Sequence, residues 1–352
     1  MPRLTPRTLV AMTSAERTLP ELDWSTAAAT GVRLVRPGPR VDAPRAAEAV
    51  ADLYRFAEQA QDLVRETARI EAPTDTAPVR VVDRTAWLRC NVESLSGLLP
   101  VAERTTATGH ITGAQIGAVL AWLSTKVLGQ FDVFAPAEIA SGGRLLLVAP
   151  NIVAAETELG VDIHDFRLWV CVHEETHRVQ FTAHPWLRDY LRDHARIVAE
   201  LTDVGAPGWQ DLSRLISARN RERLTLLDLL PDTIDVRTTL ERVTAVMSVL
   251  EGHADVVMDR VGPGVIPSVG RIRRRFETRR DGRPGLDRLV RRLLGMDVKL
   301  AQYRDGATFC RHAIAAVGID GLNRVFESPE TLPTLTELHQ PALWVDRMGR
   351  MS

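Results

Sequence analysis

The 352 residues contain only three cysteines and three tyrosines, and 5% of them are aromatic. Cys90, Cys171 and Cys310 are odd in number and widely spaced, with no C-x-x-C pair. That excludes a disulfide framework and a thiolate zinc knuckle, and it points to a reducing compartment. A surplus of charge of either sign is also missing. The 44 basic and 45 acidic side chains leave a formal net charge of -1, so no global field draws nucleic acid or an acidic membrane surface. Apolar runs stay well short of the roughly eighteen residues of a spanning helix, and the stretch from Met1 to Arg7 has no apolar core of signal-peptide length. Repeats and low-complexity segments are absent as well. A soluble, cytoplasmic protein is expected. Hydrophobic residues make up 45% of the 39.0 kDa chain, enough to fill the core of one large or two ordinary domains.

Against that plain background one motif stands out: Val170-Cys171-Val172-His173-Glu174-Glu175-Thr176-His177-Arg178-Val179 contains H-E-x-x-H. Residues four apart on a helix share a face, so His173 and His177 can reach one ion at roughly 2.0 to 2.1 Å from each nitrogen. Glu174 lies beside them, where a carboxylate can take a proton from a metal-activated water and pass it to a leaving group. The context is helical. Asp162 serves as an N-cap, Asp165 follows three residues later, and apolar residues continue at helical spacing through Phe166, Trp169 and Val170. The plainer alternative is a pair of surface histidines on an ordinary amphipathic helix. Cys171 falls on a different side of the helix from His173 and is expected to be a small buried residue.

An open tetrahedral zinc site takes three protein ligands and leaves the fourth position for water. Glu251 is the candidate third ligand, within Glu251-Gly252-His253-Ala254-Asp255 on a helix expected from about residue 238 to 260. Asp255, four residues on, shares its face and could orient a ligand histidine through the distal ring nitrogen. Gly252 costs a helix about 1 kcal/mol relative to Ala, and close approach of a second helix is one reason to keep it. His253 is the rival third ligand. A helix that exposes Glu251 and Asp255 to solvent and buries His253 is also compatible with these residues.

The pairing of His173-Glu174-x-x-His177 with Glu251-x-x-x-Asp255 resembles the gluzincin arrangement, typified by thermolysin, in which a glutamate on a second helix completes the zinc site. The stretches Arg36-Pro37-Gly38-Pro39-Arg40, Leu128-Gly129-Gln130-Phe131-Asp132 and Leu294-Gly295-Met296-Asp297, continuing to Arg304, are similar to an uncharacterised bacterial family of zincin-like metallopeptidases. Some members of that family are associated with biosynthesis of a deazaflavin coenzyme. The resemblance covers nearly the whole chain, but the segment between His177 and Glu251 is far longer than in thermolysin-like enzymes and must loop away from the metal. It implies a zinc cofactor and an oxyanion-stabilising residue, for which Tyr303 and His253 are the candidates. A tyrosine that merely buries its ring is the bland alternative for Tyr303. The resemblance also implies an edge strand lining the substrate groove, a role that 146–151 could fill, although a core strand is equally compatible.

Along the rest of the chain helical signals dominate. Asp42 caps a run with Pro44 in its first turn, reaching toward Arg69; helices are expected over 86–99 and over 116–128, the latter stopped by Gly129. Strands are expected at 79–83 and at 143–151, closed by Pro150. One or two helices are expected between the ligand helices, including one near 212–230. The arginines from Arg271 to Arg292 form the one strong charge bias, but only Phe276 is aromatic and Glu277, Asp281 and Asp287 are interspersed. A solvated helix face fits this better than a nucleic-acid surface. The expected architecture is mainly α with an α+β zincin-like core: a helical subdomain over 1–140, a catalytic core over 141–265 and a helical subdomain over 266–352. The expected activity is zinc-dependent hydrolysis of a peptide or small amide. The alternative is a catalytically silent zinc-binding scaffold with all four positions closed.

Overall fold

The computed structural model describes residues 22–73, 77–99, 106–140, 142–201, 234–281 and 296–351. In chain order these form α1 (Trp24–Leu34), α2 (Ala43–Ala68), β1 (Val79–Val82), α3 (Arg84–Leu98), α4 (Ala107–Leu123), β2 (Gly129–Asp132), β3 (Arg144–Val148), α5 (Ala149–Leu159), α6 (Ile163–Ala183), α7 (Trp186–Leu201), α8 (Ile234–Val261), α9 (Val269–Asp281), α10 (Met296–Asn323), α11 (Leu335–His339) and α12 (Pro341–Met351). The chain is mainly helical around one small sheet. No helix among the described residues is long and apolar enough to cross a membrane.

The caps behave as their chemistry dictates. Asp42, Asp83 and Asp162 each accept a hydrogen bond from the backbone N–H three residues on, starting α2, α3 and α6. α2 turns Leu53, Phe56, Ala57, Ala60, Val64 and Ala68 inward and packs on α6, the helix that carries the H-E-x-x-H motif. One buried apolar cluster runs from Leu53 through Phe166, Val172 and Val249 to Trp344 and Met348. Cys171 lies within it, fully buried.

The sheet has the order β1-β3-β2, with β1 parallel and β2 antiparallel to β3. β3 ends at Val148, and Pro150 sits in the first turn of α5, where its missing N–H costs nothing; proline opens a helix instead of closing a strand. β3 is also the central strand, buried along its whole length and paired on both sides, so 146–151 is not an exposed groove edge. The helix expected over 116–128 ends at Leu123, and Gly129 opens β2. A turn over 124–126 ends the helix, and Leu128 then meets the end of β3, its carbonyl accepting from Val148 N–H at 2.8 Å, before β2 begins. The stretch 212–230 lies outside the described residues.

Arg167 locks α6 to its neighbours. Its guanidinium donates to both carboxylate oxygens of Glu156 on α5 (2.9 and 3.0 Å) and to Asp52 on α2 (2.8 Å), and its side chain is 2% exposed. Removing one partner of such a group strands the others in a low-dielectric interior. Arg167→Leu is therefore expected to cost about 3–5 kcal/mol, seen as a lower urea midpoint with an unaltered slope. An unchanged midpoint would show that the network contributes nothing to stability.

Candidate metal centre

His173 and His177 project from the middle of α6, and Glu251 meets them from α8. The Nε2 atoms of the two histidines are 3.2 Å apart; Glu251 Oε2 is 3.6 Å from His173 Nε2, and Oε1 is 3.8 Å from His177 Nε2. Each donor atom lies within 4.8 Å of the others. Ligands on a tetrahedral ion at about 2.0–2.1 Å stand roughly 3.3–3.4 Å from one another, so two imidazole nitrogens and one carboxylate oxygen at these separations fit a single zinc ion. The rings meet edge-on at 88°, with centroids 4.7 Å apart.

Glu174 follows His173 on α6 and is 7% exposed. Burial, and next the charge of Glu251, push its carboxyl well above the usual carboxylate range. The first residue of β2 presses on it: a Cβ at Gly129 would sit 2.5 Å from Glu174 Cγ and 2.8 Å from its Oε1. Glycine is needed there because the strand backbone touches the carboxylate.

α8 can bring Glu251 into place because α10 crosses it at backbone contact. A Cβ on Gly252 would lie 2.2 Å from the carbonyl carbon of Gly306, and one on Gly306 would lie 1.9 Å from the carbonyl oxygen of Ser248. The close helix approach anticipated from Gly252 is present. A cavity of about 280 Å³ opens beside His173, Glu174 and Glu251. Its walls are Trp169 and Val170 of α6, Met258 of α8, Phe276 of α9 and Leu128, with Lys126, Asp255 and Arg273 as further charged members. Trp169 and Phe276 meet edge-on at 5.3 Å.

Asp255, expected to orient a ligand histidine, lines the cavity and faces Arg273 at 3.8 Å; of the two ligand candidates on α6, His177 has its Nδ1 against Gln180 Oε1, at 2.9 Å. His253 is 0% exposed, stacked edge-on against Phe326 and bonded to Gln180 at 3.0 Å, and burial lowers its pKa to about 4. It is not part of the metal-binding group, and it has no exposed surface from which to meet a substrate oxyanion. Its place on α8, two residues after Glu251, turns it into the core. Tyr303 belongs to α10, but its side chain lies outside the described residues. Within the arginine stretch, Arg273 pairs with Asp259 at 2.9 Å and Arg275 donates to the carbonyls of Leu159 and Gly160, so these two serve packing; Arg283, Arg288, Arg291 and Arg292 lie outside the described residues. The sequence reading missed Gln180, Gly129 and the cavity walls. Only Gln180 carried a signal, since a residue three beyond His177 shares its helix face.

A family model for zincin-like metallopeptidases matches residues 22–345. The chain belongs to that zincin-like metallopeptidase family. Family membership implies a metal ion, typically zinc, and the donor set above suits it. The chain is also similar to a crystal structure of a candidate hydrolase with a novel fold from Chloroflexus aurantiacus: 31% identity, 94% of this chain and 99% of that chain covered, TM-score 0.67. No curated protein matches it. Neither similarity bears on biosynthesis of a deazaflavin coenzyme. Zincin-like family membership and this structural relative together support hydrolase chemistry.

Proposed function

We propose that this zincin-like protein hydrolyses peptide or other small amide bonds with zinc as cofactor, His173, His177 and Glu251 as ligands and Glu174 as general base. The observation that carries this is the convergence of three donor atoms on one point, with a buried carboxylate next to them and a cavity opening on both. Zinc, when bound, supplies a Lewis acid for the scissile carbonyl and lowers the pKa of water to about 7. Glu174 takes the proton of the attacking water and returns it to the departing nitrogen, doing both from one position close against the Gly129 backbone. Trp169, Val170, Met258 and Phe276 exclude water from that exchange and accept an apolar group next to the scissile bond. The β2 edge away from β3 runs beside Glu174 and could pair with an extended substrate backbone.

Elemental mass spectrometry of the wild-type protein and of His173→Ala tests the reading, together with inhibition by acetohydroxamate. About one zinc per chain, lost in the variant, and binding of the hydroxamate are the expected results. Zinc without hydroxamate binding would mean a closed, structural site; no zinc after reconstitution would remove the hydrolase reading.

A further inference from the structure

The side chain of Gln180 is fully buried between the two ligand helices, and its amide is used at both ends. Oε1 lies 2.9 Å from His177 Nδ1, while Nε2 lies 3.0 Å from the carbonyl oxygen of Leu250 and 3.0 Å from His253 Nδ1. A carbonyl oxygen can only accept. The amide end facing Leu250 must therefore be the NH2, since the reverse orientation would set two oxygens against each other at 3.0 Å. Oε1 then faces His177 and can only accept, so Nδ1 of His177 must carry a proton. In a neutral imidazole that leaves the lone pair on Nε2, the atom aimed at His173 Nε2 and Glu251. The second amide hydrogen points at His253 Nδ1, which must accept it.

Leu250 immediately precedes Glu251. The backbone polarity of α8, next to the third ligand, is thus transmitted through one amide to the second ligand on α6. We propose that Gln180 is a positioning residue that fixes His177 in the Nδ1–H tautomer and ties its ring to the α8 turn bearing Glu251, so that the ligand set is prearranged before any metal binds. This rests on the zinc reading above for its purpose, but the tautomer itself is a property of the metal-free protein. A free histidine ring has no such bias toward Nδ1–H, and an outer partner of this kind is worth about 10- to 100-fold in metal affinity.

The test is the two-bond ¹⁵N–¹H spectrum of metal-free, ¹⁵N-imidazole-labelled protein at about pH 8.5, where a histidine with an ordinary pKa is neutral, with His177→Asn supplying the assignment. Wild type should show His177 protonated on Nδ1. Gln180→Leu should lose that preference and bind zinc about 10- to 100-fold more weakly in chelator competition. Gln180→Glu, whose carboxyl keeps an acceptor toward His177 and, in its protonated form, a donor toward the Leu250 carbonyl, should restore the tautomer, a rescue that a merely space-filling role would not give. A wild-type His177 protonated on Nε2 would overturn the proposal without recourse to any variant, which keeps it decidable should Gln180→Leu fail to fold. Unchanged tautomer and zinc affinity in a folded Gln180→Leu would overturn it equally. If wild type binds no zinc yet shows the Nδ1–H form, the zinc reading falls and the tautomer assignment stands.

Discussion

Glu174→Gln is expected to lose at least about a thousandfold in kcat, some 4 kcal/mol of barrier, while keeping its zinc. The substitution preserves shape, which matters because Gly129 leaves no slack around the side chain: its missing Cβ would already stand 2.5 Å from Cγ. An amide can still accept a hydrogen bond from water but cannot take its proton. Glu174 is also not one of the three donors that converge on the metal position, so metal affinity should hold, and one buried acid close to Glu251 is removed. Steady-state kinetics with a peptide substrate and zinc content on the same preparation decide the matter. A fall of less than about tenfold would take Glu174 out of the proton transfer. Loss of zinc together with activity would instead make it part of the metal site.

The second large effect is structural. At an ordinary exposed helix position Gly→Ala stabilises by about 1 kcal/mol. At Gly252 the sign should reverse. The added methyl would lie 2.2 Å from the carbonyl carbon, 2.4 Å from the oxygen of Gly306 and 2.6 Å from the nitrogen of Ala307. All three are backbone atoms of α10, which cannot rotate away as a side chain can, so α8 and α10 must separate. Overpacking of this kind costs about 1–3 kcal/mol and occasionally more; Gly252→Ala should reach the top of that range and Gly252→Val exceed it. Because Glu251 is the adjacent residue, zinc affinity should fall as well. The check is a denaturant midpoint beside a chelator competition, and an increase in midpoint for Gly252→Ala would mean that the two helices do not touch there.

The sequence revealed those parts of the molecule whose causes are local. Asp42 and Asp162 announce their helices because a cap acts within three residues, and His173 and His177 announce a shared ligand face because helical period alone places them. Glu251 was legible through chemistry plus a glycine with no local justification. β2 was not, since four residues of strand acquire their identity from β3. Pro150 was misread for a related reason: the same proline suits the end of a strand and the first turn of a helix, and only tertiary context selects between them. His253 has a residue type suited to a catalytic role but is turned into the core, and Gln180 has an unremarkable residue type in a decisive place. Neither could be judged before α6 and α8 were set against each other. The cavity walls come from three helices and a loop, so their meeting has no sequence signature at all.

The extent of the apolar cluster bears on how the molecule is made. Its members begin at Leu53 and continue to Trp344 and Met348, and the Trp344 indole donates to the carbonyl of Thr331 beneath Phe309. A chain emerging from the ribosome therefore exposes His173 and His177, and later Glu251, well before the last pieces of their support exist. A chain stalled short of α12 lacks Trp344 and Met348, the last members of the buried cluster that also packs α6 and α8.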